Sequence, residues 1–235
     1  MNFAVILIGG MSKRFGISIP KQFAQINNLE LFEYSLRVFL ANKQIKEVLL
    51  VVHNEYIVHV NEIIKRYESN KSIGVIPGGI SRQQSVFNAL KHINSVHRVT
   101  EKDIILIHDG ARPLVVDADI NTVIGAIKDG ADGSSLAFNS HDTLIEVSED
   151  HTVEFLPRDN IFRIQTPQCF KLSKILKAHQ LAETMGIFSS TDDLQVLKLV
   201  SENIFLKRGR EENFKITTAT DLEVFKIIIE GKKYG

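Results

Sequence analysis

The sequence predicts an α/β fold: a doubly wound, mostly parallel sheet with helices on both faces and a projecting β-arm. Three observations carry this expectation. Short β-branched runs alternate with longer stretches of helical period, the pattern of strand, crossover helix, strand. The runs are almost continuously apolar, as strands covered on both faces must be. Between residues 140 and 160 the alternation lapses into charged, irregular sequence, which reads as an extended arm or hairpin rather than another crossover.

Residues 3–8, 48–52, 73–76 and 104–107 read as the buried strands. The first crossover carries Phe32, Leu36, Phe39 and Leu40 on one helical stripe, and the second Ile57, Val60, Ile64 and Tyr67. Ser81 with Gln84 three positions on reads as a capping box opening a third helix through Val86, Leu90 and Ile93. Ile120, Val123, Ile124 and Ile127 mark a fourth helix, which Gly130 would end. Beyond the arm, a strand near 162–164, helices near 173–183 and 194–200, a strand near 213–217 and a closing helix from Thr218 return to the main body. With no Pro- or Ser-rich linker, repeat or low-complexity tract, residues 1–235 read as one domain with an inserted arm.

The chain has 28 Lys and Arg against 28 Asp and Glu, a balance that argues against nucleic acid or a polybasic membrane tether as the main partner. Its 44% apolar content builds a sizeable core, and its apolar runs are of strand length, short of the ~20 residues that span a bilayer. The opening run leads to glycines and then basic residues, unlike a secretory leader. Cys169 is the single cysteine, so no intrachain disulfide forms, and a reducing cytoplasm is the expected compartment.

In open α/β sheets the ligand sits beyond the carboxyl ends of the strands, so the loops there hold the candidate chemistry. The first reads Ile8-Gly9-Gly10-Met11-Ser12-Lys13-Arg14, followed by Pro20-Lys21-Gln22-Phe23. Glycines after a strand let backbone N–H groups approach an anion, and three cations follow closely, which outlines a phosphate site. A glycine turn with surface lysines explains the same residues. Neither a Walker A loop nor a G-x-G-x-x-G fingerprint is present. The loop His108-Asp109-Gly110-Ala111-Arg112-Pro113 offers a carboxylate for Mg²⁺ and a guanidinium for phosphate, or else a local Asp–Arg pair pinning a turn. Asp117-Ala118-Asp119 resembles the D-x-D metal motif of nucleotide-sugar glycosyltransferases, but its place ahead of a helix is better explained by capping and the helix dipole. Thr166-Pro167-Gln168, Ser190-Thr191-Asp192-Asp193 and Lys215-Ile216-Thr217-Thr218 read singly as turns or caps. The eight histidines are scattered, so no zinc site is expected, and Cys169 lacks a neighbouring histidine to serve as a nucleophile's base.

Taken in order, Gly9-Gly10-x-x-x-Arg14, Pro20-Lys21-Gln22-Phe23, Gly78-Gly79-x-x-Arg82-x-x-Ser85-Val86, His108-Asp109-x-Ala111-Arg112-Pro113, Thr166-Pro167-Gln168 and Lys215-Ile216-Thr217 resemble one family. It is that of the 2-C-methyl-D-erythritol 4-phosphate cytidylyltransferases and their polyol-phosphate relatives, and the likeness runs from about residue 2 to residue 229. The resemblance implies a Rossmann-like nucleotidyltransferase domain whose arm helps form a homodimer, with Mg²⁺ as cofactor and CTP and a polyol phosphate as substrates. It implies that Ile8, Gly9 and Gly10 line the CTP site, that Arg14 and Lys21 hold the triphosphate and stabilise the transition state, and that Gly79 and Ser85 lie near base and ribose. Asp109 and Gly110 would contact ribose or metal. Arg112, Thr166, Thr191 and Lys215 would surround the sugar phosphate and α-phosphate, and Thr143 and Arg158, on the arm, would reach a partner's acceptor site. Ser12 and Ile80 depart from the family pattern, which has a second loop glycine and commonly an acidic residue there.

The implied reaction is attack of an acceptor phosphate on the α-phosphorus of CTP. Ala111 and Thr191-Asp192-Asp193 resemble the methylerythritol branch; the alternative is a ribitol 5-phosphate enzyme serving cell-surface polymers. Two other classes stay in view. A glycosyltransferase would need Asp117 and Asp119 as metal ligands, and a non-catalytic nucleotide-binding module would bind CTP without releasing pyrophosphate.

Overall fold

Strand β1 (Asn2–Leu7) forms where the first apolar run predicts it, and it lies near the middle of a seven-stranded sheet. A computed structural model describes residues 1–10 and 20–231. A small hairpin of β2 (Gln25–Ile26) and β3 (Leu29–Glu30) follows, turned through Asn27 and Asn28 at φ 50° and 64°, a conformation asparagine tolerates. The chain continues through α1 (Leu31–Ala41), β4 (Glu47–Val52), α2 (Ile57–Ile64), β5 (Ser72–Pro77), α3 (Arg82–Val96) and β6 (Ile104–Asp109). Then come α4 (Asp117–Lys128), β7 (Gly133–Asn139), the hairpin β8 (Ile145–Val147) and β9 (Val153–Phe155), and β10 (Phe162–Lys171). Helices α5 (Leu172–Thr184) and α6 (Asp193–Leu197), strand β11 (Ile204–Arg208) and helix α7 (Ala219–Gly231) complete it.

The strand order is β11-β7-β10-β6-β1-β4-β5, parallel throughout except for β10, which runs antiparallel to both β6 and β7. Side chains alternate along β1 between two cores. Ala4, Ile6 and Ile8 pack with Phe32, Val60 and Val123 from α1, α2 and α4, whereas Phe3 and Val5 pack with Val86, Leu90 and Ile175 from α3 and α5. A third cluster sets Phe225 of α7 against Ile26, Leu31 and Ile216. The chain moves outward from β1 through β4 to β5 and then returns to the other side of β1 as β6. The resulting crevice lies beyond the paired ends Leu7 and Asp109.

Local signals act as expected, with adjustments. Ser81 caps α3 by accepting from the Gln84 N–H at 3.1 Å, but the Gln84 amide oxygen accepts from Ile80 N at 2.8 Å rather than from Ser81, so the box is displaced by one residue. Gly130, at φ 109°, ends α4, and Ala131 N bonds back to Ala126 O in a Schellman closure. The second apolar stripe overreaches: α2 ends at Ile64, and Tyr67 instead donates its hydroxyl to Glu33 at 2.6 Å.

Three strands differ from the sequence-based expectation. β7 was not expected, because Gly133, Ser134 and Ser135 carry no strand signal although all are buried. β10 extends well past 164 and contains Thr166-Pro167-Gln168, read above as a turn; its register with β7 shifts between Gln165 and Gln168, where proline's missing donor is tolerated. The Thr166–Pro167 peptide is cis. The stretch 213–217 is not a strand, and the edge of the sheet is instead β11, paired in parallel with β7. Residues 213–217 lie outside the ladder, with Ile216 N donating to Ala111 O at 2.8 Å.

Candidate active site

A cleft of about 1050 Å³ opens beyond the ends of β1, β4, β5 and β6. Of the residues singled out from sequence, Ile8, Gly9, Gly10, Lys21, Gly79, Ser85, Asp109 and Lys215 line it. Arg14, with Lys13 and Ser12 beside it, lies outside the described residues.

The glycine turn after β1 is held from below. The buried Gln22 side-chain amide donates to Ile8 O at 2.7 Å and to Gly10 O at 2.8 Å, which orients the turn without filling the cleft. At Gly10 an added Cβ would meet no atom of the described residues within 4 Å. Lys21, in the short turn ahead of β2, donates to Ile216 O at 2.6 Å. On the opposite rim, Ser85 Oγ accepts from Gly79 N at 3.0 Å and donates to Ser81 O at 2.8 Å, fixing the Gly78-Gly79 turn above α3.

Asp109 ends β6 at the floor of the cleft. Its carboxylate accepts from Lys215 Nζ at 2.6 Å and pairs with Arg82 Nε at 3.3 Å. Burial alone would raise its pKa, but Arg82, Lys215 and Arg112 outweigh that and hold it far below the usual carboxylate range. The residue is therefore a fixed anion ringed by cations. Lys21, Arg82 and Lys215 together give the cleft more positive than negative charge, the balance a polyphosphate requires.

Beneath Asp109 lies a closed hydrogen-bond relay. Asp109 N donates to Thr166 Oγ1 at 3.0 Å, Thr166 Oγ1 is 3.0 Å from His108 Nδ1, and His108 Nε2 is 3.1 Å from Arg112 O. Since a carbonyl only accepts, Nε2 carries the proton and Nδ1 accepts from the threonine hydroxyl. Burial lowers the His108 pKa to about 4, in keeping with that neutral ring. Thr166 thus sits behind the floor rather than in the cleft. Gly110 sits behind it too: a Cβ there would lie 2.5 Å from Ile8 Cγ2 and 3.1 Å from Leu7 O.

Arg112 is also placed behind the cleft, donating to Asn213 O at 2.9 Å and Ile164 O at 3.3 Å. Thr191 is exposed just ahead of α6, outside the cleft lining, where its neighbour Asp192 caps that helix and accepts from Gln168 at 2.7 Å. Thr143 and Arg158 flank the β8–β9 hairpin, both exposed and away from this chain's cleft. Asp117 accepts from Asn42 and Asn121, and Asp119 accepts from Val116 N and pairs with Arg210 at 2.9 Å, so both act at the start of α4 and neither faces the cleft. Cys169 is buried in the core, and burial pushes its thiol pKa up.

Sequence reasoning gave no role to Gln22 or Arg82, although both stand in the quoted motifs. Gln22 had no separate signal. Arg82 had one: a cation in the first turn of a helix opposes the dipole, a broken local rule that marks functional positions.

A family model described as 2-C-methyl-D-erythritol 4-phosphate cytidylyltransferase matches residues 3–231. The protein of that name from Clostridium acetobutylicum is 36% identical over 233 residues, covering 98% of this chain and 98% of its own. Its counterpart from Thermosipho melanesiensis is 37% identical over 233 residues, covering 98% and 99%. Among solved structures, 4-diphosphocytidyl-2C-methyl-D-erythritol synthase from Anaerococcus prevotii superposes with a TM-score of 0.82 at 25% identity, over 97% of this chain and 96% of that one.

Proposed function

The chain belongs to the 2-C-methyl-D-erythritol 4-phosphate cytidylyltransferase family, and on that premise we propose that its cleft transfers CMP from CTP to 2-C-methyl-D-erythritol 4-phosphate, releasing pyrophosphate in the non-mevalonate route to isoprenoid precursors. The observation that carries this reading is the pairing of Arg82 and Lys215 with Asp109 in a cleft that Lys21 also lines, at the strand ends beside the glycine turn.

The acceptor's phosphate has a second pKa of about 6, so it is largely ionised at neutral pH and attacks without a general base. No cleft histidine is needed for that step, and His108 is occupied beneath the floor. The barrier is electrostatic, since one anion must approach another. Arg14 and Lys21 would stabilise charge growing on the α-phosphate and leaving pyrophosphate, and Lys215 would hold the α-phosphate in line for attack. Gly9 and Gly10 let the triphosphate approach the backbone, while Gly79 and Ser85 shape the wall for base and ribose. Arg112 and Thr166 would support the acceptor side from behind the floor, with Thr191 at its edge.

Among the described residues no three His, Cys, Asp or Glu side chains converge as a metal cage. One carboxylate suits Mg²⁺, which keeps much of its water and takes the remaining oxygens from phosphates. Asp109 would hold the ion that arrives with CTP, whose charge screens the triphosphate.

The β8–β9 hairpin pairs Ile145 with Phe155 and Val147 with Val153, placing four exposed apolar side chains on one face and Glu146 with Glu154 on the other. A two-stranded ribbon with an uncovered apolar face needs a partner surface. We assign that role to a second copy, as an arm inserted in a single nucleotidyltransferase domain, with Thr143 and Arg158 reaching the partner's acceptor site. No helix among the described residues is long and apolar enough to cross a membrane. We propose the cytoplasm as the compartment on a separate ground, the single cysteine of the sequence.

Pyrophosphate release from CTP, measured with each acceptor in turn, tests the assignment. Faster turnover with methylerythritol phosphate than with ribitol 5-phosphate is expected; the reverse order would move the chain to the polyol branch. Mixing inactive Lys21→Ala and Arg158→Ala chains should restore part of the activity if the sites are shared between subunits.

A further inference from the structure

Arg82 stands in the first turn of α3, directly after the Ser81 cap, at the helix end that disfavours a cation and with no acidic residue in that turn. Its side chain is 23% exposed and spans two carboxylates. Nη1 lies 2.7 Å from Asp193 Oδ2, at the start of α6 and 1% exposed, while Nε lies 3.3 Å from Asp109 Oδ1. Behind Asp193, His179 Nε2 lies 3.7 Å from Oδ1, and its ring stacks on Phe87 at 5.7 Å. The two contacts differ in kind: the one to Asp193 is a close ion pair without a hydrogen bond, whereas Nε donates a hydrogen bond to Asp109, whose other oxygen is held by Lys215 at 2.6 Å.

Resting on the nucleotidyl-transfer reading of the cleft, we infer that Arg82 and Asp193 are a positioning pair: Asp193 fixes the guanidinium, and the guanidinium fixes the Asp109 carboxylate where nucleotide and metal meet. The pair also joins the two sides of the site. Asp193 begins α6 immediately after Thr191 and Asp192, so the ion pair ties the acceptor edge to the β6 end that carries Asp109. A guanidinium suits this task because its planar fork engages two groups in fixed directions, which a lysine ammonium or a neutral amide does not reproduce.

A buried ion pair that served stability alone would be replaceable by two neutral side chains, whereas losing one partner leaves an uncompensated charge. The two roles separate on that difference. In the full-length chain, Arg82→Gln, Asp193→Asn, Arg82→Lys and the double Arg82→Gln/Asp193→Asn variant are compared by thermal midpoint and by pyrophosphate release, with CTP and acceptor varied separately and rates taken per folded protein. The single Gln and Asn variants are expected to lose midpoint, and the double to regain most of it. The double and Arg82→Lys are expected to stay at least about tenfold below wild type in kcat, as misplacement of a reacting centre implies. A refolded double variant with kcat within about twofold of wild type, or an Arg82→Lys variant of native turnover, overturns the positioning role. A wild-type chain that binds no CTP and releases no pyrophosphate fails the underlying reading and this inference with it; an active wild type with an equally active double fails this inference alone.

Discussion

Lys21 Nζ and the carbonyl of Ile216 meet at 2.6 Å, joining the turn beside the glycine loop to the segment ahead of α7, 195 positions away. One side chain thereby links two walls of the cleft and presents a cation to it. Lys21→Ala is expected to lower kcat by roughly 10²–10³-fold, about 2.7–4 kcal/mol, as for other preorganised charge-stabilising groups. Losing the charged hydrogen bond to Ile216 O should itself cost the fold about 1.5–3 kcal/mol. Turnover at saturating substrate, read beside a denaturant midpoint, distinguishes the two; near-native kcat would remove Lys21 from the proposed machinery.

Asp109→Asn keeps the shape and removes the anion between Arg82 and Lys215. Lys215 then loses its carboxylate partner and Arg82 keeps only Asp193, and the oxygen suited to Mg²⁺ becomes a weak donor. The Mg²⁺ concentration giving half-maximal rate should rise, and turnover should fall by about 10²-fold or more. In the unaltered protein, chelation of divalent ions should stop turnover and leave the melting midpoint where it was, since no metal cage exists among the described residues.

Gly10 and Gly110 separate binding from folding. A Cβ at residue 10 meets no atom of the described residues within 4 Å, so Gly10→Ala should leave the midpoint little changed while raising KM for CTP. At residue 110 the added Cβ lies 2.5 Å from Ile8 Cγ2 and 3.1 Å from the Leu7 carbonyl oxygen, which belongs to rigid backbone. Gly110→Ala should cost about 1–3 kcal/mol of stability. Equal effects of the two substitutions on the midpoint would contradict the packing described.

His108 supplies a pH dependence of stability. Burial lowers its pKa in the fold to about 4, below the ordinary value of 6.5. Between those values the unfolded chain takes up a proton that the folded one refuses, so stability falls as pH drops through this window and is fully present above it. The contribution is about 3 kcal/mol between pH 7 and pH 4. Replacement by asparagine, which does not titrate, should remove that part of the slope. Urea midpoints of both proteins at pH 7 and pH 4.5 give the comparison; parallel declines would rule His108 out as the source.

Much of this was legible from residue pattern, and the failures share a cause. The parallel strands β1, β4 and β6 are buried along most of their length, so their apolar runs announce them, and the edge strand β5, only partly buried, still carries Ile73, Val75 and Ile76. β7 is buried as well, but its Ser134 and Ser135 hide it from any reading by hydrophobicity. β10 carries a proline that reads as a breaker, and only the register shift against β7 shows how a sheet accepts it. At the site, glycines and cations placed after strands were readable because strand ends define the crevice. Gln22, which works through two carbonyls of the glycine turn, and the Asp193 partner of Arg82, 111 positions along the chain from it, depend on tertiary contact and leave no local trace.

β10 has one further consequence. Its ten residues extend roughly 33 Å at ordinary strand rise. Phe162 and Ile164, at one end, are exposed beside the base of the hairpin, and Thr166, further along, supports the backbone of Asp109. The strand is thus a strut shared by two tasks, the surface that the proposed second subunit would meet and the footing of the charged floor. A load applied at the outer end is carried along covalent backbone rather than through loose loops, so the proposed assembly and the reaction centre would have one mechanical origin.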